Sequence, residues 1–197
     1  MRSNIARQFF VGFVLISIYY MRRISALIRT MGTRHASSFP PPVVMGDENL
    51  MAEKNHGTCE KPVQDSLRWN VDRSKADHIC CFNRHYAEHS GYFLTSGVTW
   101  NAEAQEKGDN PMEYYDSVSG KLLFTAPQGR TMQEFKTESM RHGWPSFRDS
   151  EVNWEYVRIL PGGEAVSVDG THLGHNLPDG KGNRYCINLV SVAGKPE

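Results

Sequence analysis

Arg184, Cys186 and Asn188 stand at a spacing of two near the end of a 197-residue chain. In a β-strand alternate side chains share a face, so an arginine, a thiol and an amide would line up in a row. A cysteine is often a small buried apolar filler, but polar face-mates suit that role poorly for Cys186. A cation beside a thiol favours the thiolate, and the thiolate is the nucleophile. Just upstream, His172 and His175 are three apart. Such a pair can supply proton donors, metal ligands or ordinary hydrogen bonds. A metal site on His172, His175 and Cys186 lacks an evident fourth ligand and ranks below thiol chemistry.

These residues need a scaffold to hold them. The clearest strand spans 183–192, where Tyr185, Ile187 and Leu189 alternate with the polar trio and can face a core. Glu113–Ser117 and Lys121–Thr125 read as two strands around a Ser119-Gly120 turn, and Glu155–Leu160 and Glu164–Asp169 as two more around Pro161-Gly162-Gly163. Thr131–His142 reads as a helix opened by a T-x-x-E capping box, Thr131 with Glu134. Residues 102–110 form a charged surface segment, and the dense aromatics of 79–100 must pack against something. The pattern predicts a mainly β fold with minor α, built from antiparallel strands.

The composition is that of an ordinary globular protein, with 39% hydrophobic and 22% charged residues. The formal charge of zero conceals an asymmetry. Residues 1–46 carry six arginines and no acid, which leaves sixteen basic against twenty-two acidic residues in 47–197. A mildly acidic body argues against a nucleic-acid binder. Four cysteines, Cys59, Cys80, Cys81 and Cys186, are too few for a disulfide scaffold of this length, and no C-x-x-C pair occurs.

Phe9–Met21 is an apolar run of thirteen residues, short of the ~20 that a bilayer span needs. Its length suits a signal-peptide core, and the arginine-rich, acid-free surroundings suit an organellar transit peptide. We assign 1–46 to a leader directing the chain to a mitochondrion or plastid; translation from Met31 would instead leave it in the cytoplasm. Residues 47–65, behind Pro40, Pro41 and Pro42, read as a linker, with order beginning near Leu67–Trp69 and the domain running over 66–193.

Three blocks carry a resemblance. Gly170-Thr-His-Leu-Gly-His175 with Asp179-Gly180 and Arg184-Tyr-Cys-Ile-Asn188, the segment His142-Gly-Trp-Pro-Ser-Phe147, and Leu122–Phe124 after Gly120 together resemble B-type methionine-R-sulfoxide reductases. The match is specific over 110–192 and vague over 66–109. It implies two small antiparallel sheets of the β-tent kind, with Cys186 as nucleophile and His172 and His175 around the sulfoxide oxygen. Arg184 and Asn188 would flank the thiol, and Trp144 and Phe147 would receive the substrate's methyl side. The implied activity is thiol-dependent reduction of peptide methionine-R-sulfoxide through a sulfenic acid. The implied partners are oxidised proteins and a thioredoxin-like or small-thiol reductant, acting on a monomer with no nucleic acid and no membrane for the mature domain. A non-catalytic peptide- or ligand-binding module on the same fold is the alternative.

The sequence departs from that family twice. Its two zinc-binding C-x-x-C pairs fall here on Asp116 and Ser119, and on Val166 and Asp169, which cannot form a closed thiolate site; no metal and no cofactor is expected. His142 stands where many members have a resolving cysteine. Cys80, Cys81 or Cys59 would have to substitute, or an external thiol would reduce Cys186 directly. Cys80 and Cys81 lie beside Ile79 and Phe82, an apolar setting that dulls a thiol.

Overall fold

The structure is a computed structural model that describes residues 39–197. The leader reading for 1–38 lies outside the described residues. The fold is mainly β, with one two-stranded and one five-stranded antiparallel sheet and few helices.

The small sheet pairs β1 (Met112–Tyr115) with β2 (Leu122–Ala126) around a turn whose Gly120 takes φ 76°. The large sheet has the order β3-β7-β6-β5-β4. Its strands are β3 (Ser146–Phe147), β4 (Val157–Ile159), β5 (Glu164–Ser167), β6 (His172–Asn176) and β7 (Tyr185–Ile187). The alternation in 184–189 appears in the structure: Tyr185, Ile187 and Leu189 are core, while Arg184, Cys186 and Asn188 face the other way. The strand is shorter than expected, because the chain turns at Asn188 into a 3-10 helix over Leu189–Ser191.

Among the described residues, three α-helices pack around the sheets. α1 (Arg73–Asp77) continues into a π-helical turn over His78–Phe82, α2 spans Trp100–Lys107 and α3 spans Met132–His142. Both halves of the α3 capping box are present, so two backbone donors that a helix start leaves unpaired find partners. The core joins the sheets through rings. Phe147 stacks on Phe124 at 4.3 Å and meets Tyr114 edge-on at 4.9 Å, with Phe135 and Trp100 behind.

Two expectations about organisation are overturned. Residues 47–65 are not a linker and 39–46 do not stand outside the fold: Val43, Met51, Cys59 and Val63 are buried, and residues 44–46 run beside β4, with Gly46 N–H donating to the Ile159 carbonyl at 2.9 Å. Order therefore begins well before Leu67. Cys59 is bonded to Cys81 across 22 positions. The pairing was hidden because no local spacing announces contact between a turn and a helix end. Among the aromatics of 79–100, Tyr92, Phe93 and Trp100 are buried, but Phe82 and Tyr86 are exposed.

Candidate active site

Cys186 lies in the middle strand of a β3-β7-β6 trio, opposite Ser146 on one side and His175 on the other. Residues directly opposite in antiparallel strands project to the same face. The thiol is half-buried on the floor of a cavity of about 230 Å³, lined also by His172, His175, Asn188, Trp144, Leu177 and the segment Arg84–Ala87. That volume is below the ~300 Å³ at which drug-sized ligand pockets begin, so it suits one side chain. Trp144, Tyr86 and Leu177 make the mouth apolar.

Close approach of β6 to β7 depends on Gly174. Its φ is 153°, and a Cβ there would sit 2.0 Å from the Cys186 carbonyl oxygen. Only glycine fits. The Arg184 Nη1 donates to Cys186 Sγ, and Ser146 Oγ lies 3.8 Å from the same sulfur. A permanent cation thus rests against the thiol. Arg184 is steered by Asp179 at 3.3 Å, and Asp179 is held by Arg148 at 2.9 Å. The Arg148 hydrogen bonds keep the Asp179 carboxyl well below its usual range despite slight burial.

The histidines differ. His172 Nδ1 lies 2.7 Å from Glu164 Oε1 on β5, which also accepts from Arg84 Nε at 3.2 Å. Burial alone would raise the Glu164 pKa, but the bonds from His172 and Arg84 outweigh it and hold it below the ordinary value. The carboxylate therefore places the His172 proton on Nδ1 and leaves Nε2 as the free ring nitrogen. His175 is exposed at the mouth, 5.7 Å from the His172 ring. Burial of its inner side, and then the neighbouring His172, lower its pKa.

Trp144 and Asn188 are held together by a residue the sequence did not single out. Glu88 is buried; its carbonyl accepts from Trp144 Nε1 at 3.1 Å and its N–H donates to Asn188 Oδ1 at 3.3 Å. Its carboxylate accepts from the Leu189 and Val190 N–H groups at 2.7 and 3.1 Å. Burial raises its pKa to about 7, against the pull of those two donors. Glu164 and Arg84 were likewise missed, since their meeting with His172 depends on strand register rather than on sequence spacing. The one local hint was an acid, Glu88, inside an aromatic-rich stretch.

Several assigned residues lie elsewhere. Phe147 does not line the cavity: it pairs with Tyr185 rather than Cys186, so it points into the core. Neither Cys80 nor Cys81 lines the cavity. Cys81 is bonded to Cys59, and Cys80 is buried with its Sγ 3.5 Å from Ser191 Oγ. Burial pushes the Cys80 thiol far above its ordinary pKa. His142, half-buried at the end of α3, has its pKa lowered by burial and then by Arg184 and Arg141.

The four positions matching zinc cysteines do not fit a metal. Asp116 is buried and accepts from Thr171 Oγ1 at 2.9 Å and from Val118 N–H at 2.8 Å, and Lys121 pairs with Asp169 at 2.8 Å. Val166 offers no donor atom. These contacts bind the β1–β2 turn to the β5–β6 turn directly. A larger cleft of about 670 Å³ lies beside α3, lined by Arg130, Glu138, Arg148 and Lys181. Glu138 there is already paired with both Arg130 and Arg148, and no cysteine or histidine lines the cleft.

No family model matches the chain. It is similar to a peptide methionine sulfoxide reductase MsrB of Leifsonia xyli subsp. xyli (strain CTCB07), with 42% identity over 67 residues. The matched stretch covers 28% of this chain and 48% of that relative, so the chain spans about half the length of the protein it matches. The relationship to MsrB-type proteins is distant, and the two antiparallel sheets are consistent with it.

Proposed function

We propose that the chain reduces peptide methionine-R-sulfoxide to methionine, with Cys186 as the nucleophile. The observation that carries this reading is a thiol under an arginine at the base of a small apolar-mouthed cavity, with two histidines across the strand. A sulfoxide sulfur accepts a thiolate only as its oxygen takes up a proton, and a positioned histidine is suited to give it. In this scheme Trp144 and Leu177 receive the methyl side. Cys186 bonds to sulfur as its thiol proton passes through His172 Nε2 or His175 to the sulfoxide oxygen. The hydroxyl then moves from the methionine sulfur to the Cys186 sulfur, the bonds to methionine break, methionine departs and Cys186 is left as a sulfenic acid. Two external thiols then return it to the thiol, yielding a disulfide and water. Oxidised proteins are the substrates, and the acid-free, arginine-rich leader supports import into a mitochondrion or plastid.

The test is turnover of the separate R and S epimers of a blocked methionine sulfoxide with a dithiol reductant. The R epimer alone should be consumed, and Cys186→Ser should lose activity by at least a thousandfold at unchanged far-UV circular dichroism. Binding without turnover of either epimer would favour a non-catalytic peptide-binding module, and retained activity in the serine variant would sink the mechanism.

A further inference from the structure

A second cluster of ligating side chains lies away from this cavity. His56 Nε2 is 2.8 and 3.0 Å from the two Asp77 carboxylate oxygens. The ligand atoms of His56, Asp77 and Cys81 all lie within 4.8 Å of one another, and Cys59 Sγ is bonded to Cys81 Sγ. Two elements deliver these four residues in pairs. His56 and Cys59 close a tight turn, with His56 N–H to the Cys59 carbonyl at 2.9 Å and Cys59 N–H to the His56 carbonyl at 3.0 Å. Asp77 and Cys81 are four apart where α1 runs into its π-helical turn, a spacing that puts side chains on a shared face.

The pairs are held together by more than the sulfur bond. Thr58 N–H donates to the Cys81 carbonyl at 2.8 Å, and Thr58 Oγ1 to the Gly170 carbonyl at 2.8 Å. Gly57 takes φ 61°, and a Cβ there would meet the Cys81 oxygen at 2.0 Å, so the turn lies flush on the helix end. Asp77 is oriented by Val63 N–H at 3.0 Å, and the His56 ring packs edge-on against Phe82 at 4.6 Å. None of these contacts uses the sulfur–sulfur bond itself.

We propose that reduction of Cys59–Cys81 opens a zinc site with His56, Cys59, Asp77 and Cys81 as its four ligands. Two sulfurs, one imidazole nitrogen and one carboxylate oxygen form a donor set suited to tetrahedral Zn²⁺. A dithiol supplies two electrons and two protons to the Sγ–Sγ bond and becomes a disulfide itself. Zinc then displaces one proton from each thiol, and His56 shifts its proton to Nδ1. In the oxidised chain the sulfurs are spent on each other. The site is separate from the turns that match the family's zinc positions, and it departs from the expectation of a chain without metal.

The full chain is reduced with a dithiol, desalted under argon and titrated with Co²⁺, then Zn²⁺. One Co²⁺ per chain should bind with thiolate-to-cobalt charge transfer and a tetrahedral visible spectrum, both erased by Zn²⁺. The oxidised chain should give neither band. Cys186→Ser should bind as the parent does, which separates this site from the cavity thiol. His56→Gln and Asp77→Asn, on partly exposed side chains, should each weaken binding at least tenfold with unchanged far-UV circular dichroism. No stoichiometric binding to the reduced chain, equal binding to the oxidised chain, or binding indifferent to both substitutions would overturn the site.

Discussion

Cys186 is the thiol open to solvent, since Cys80 is buried and Cys59 and Cys81 are joined. The recycling route follows. One turnover with R-sulfoxide and no reductant should leave a sulfenic acid at Cys186, trapped by dimedone on the peptide that holds it. Mass spectrometry under denaturing conditions reads this directly; a Cys186–Cys80 linked peptide would contradict it. Glu88 carries a second expectation at this scale. Its folded pKa of about 7 stands above the ordinary 4.5, so the folded chain holds that proton more tightly. The stability it contributes is complete below pH 4.5 and is lost as pH rises through about 7. Relative to Glu88→Gln, the parent should lose on the order of 3 kcal/mol across that window. Urea unfolding of both proteins between pH 4.5 and 8 measures it, and parallel curves would refute it. The polar trio was legible in the sequence because alternation is local, whereas Glu88 and Glu164 act on residues they reach only after folding.

Strand β6 is the element on which the site turns, and its glycine leaves little tolerance. Gly174→Ala should destabilise by at least ~2 kcal/mol, since left-handed strain alone costs roughly 1–3 kcal/mol and the added Cβ meets a carbonyl oxygen. Equilibrium urea denaturation checks this; a loss under ~0.5 kcal/mol would mean that the two strands part without cost. This strand went unread because both its sides are occupied. Leu173 faces the core and the histidines face the cavity, so His-Leu-Gly-His-Asn shows neither an apolar run nor clean alternation. Helix α3 was readable for the opposite reason: its start is written in four consecutive residues, Thr131 to Glu134. The final strand was read too long, since the acid that turns it into a 3-10 helix, Glu88, comes from a hundred residues away.

For the whole molecule, residues 39–65 are structural. They bury Val43, Met51 and Val63 and hold half of the disulfide. Burial contributes roughly 1.5–3 kcal/mol per large apolar side chain, and closing a 22-residue loop adds roughly 3 kcal/mol. That total rivals the 5–15 kcal/mol by which domains are usually stable. A chain beginning at residue 66 should therefore lose its cooperative thermal transition, while one beginning at 39 keeps it; scanning calorimetry distinguishes them. The segment looked like a linker because its apolar residues are scattered and their partners lie in distant strands. The way the molecule stores its thiols also sets how it ages. On the proposed chemistry, Cys186 has no internal partner to discharge a sulfenic acid. Each cycle is then a race between an arriving thiol and a second oxidant, whose sulfinic product does not revert on its own. The number of repairs a single molecule completes before it is retired would be set by the thiol supply around it, not by anything within the fold.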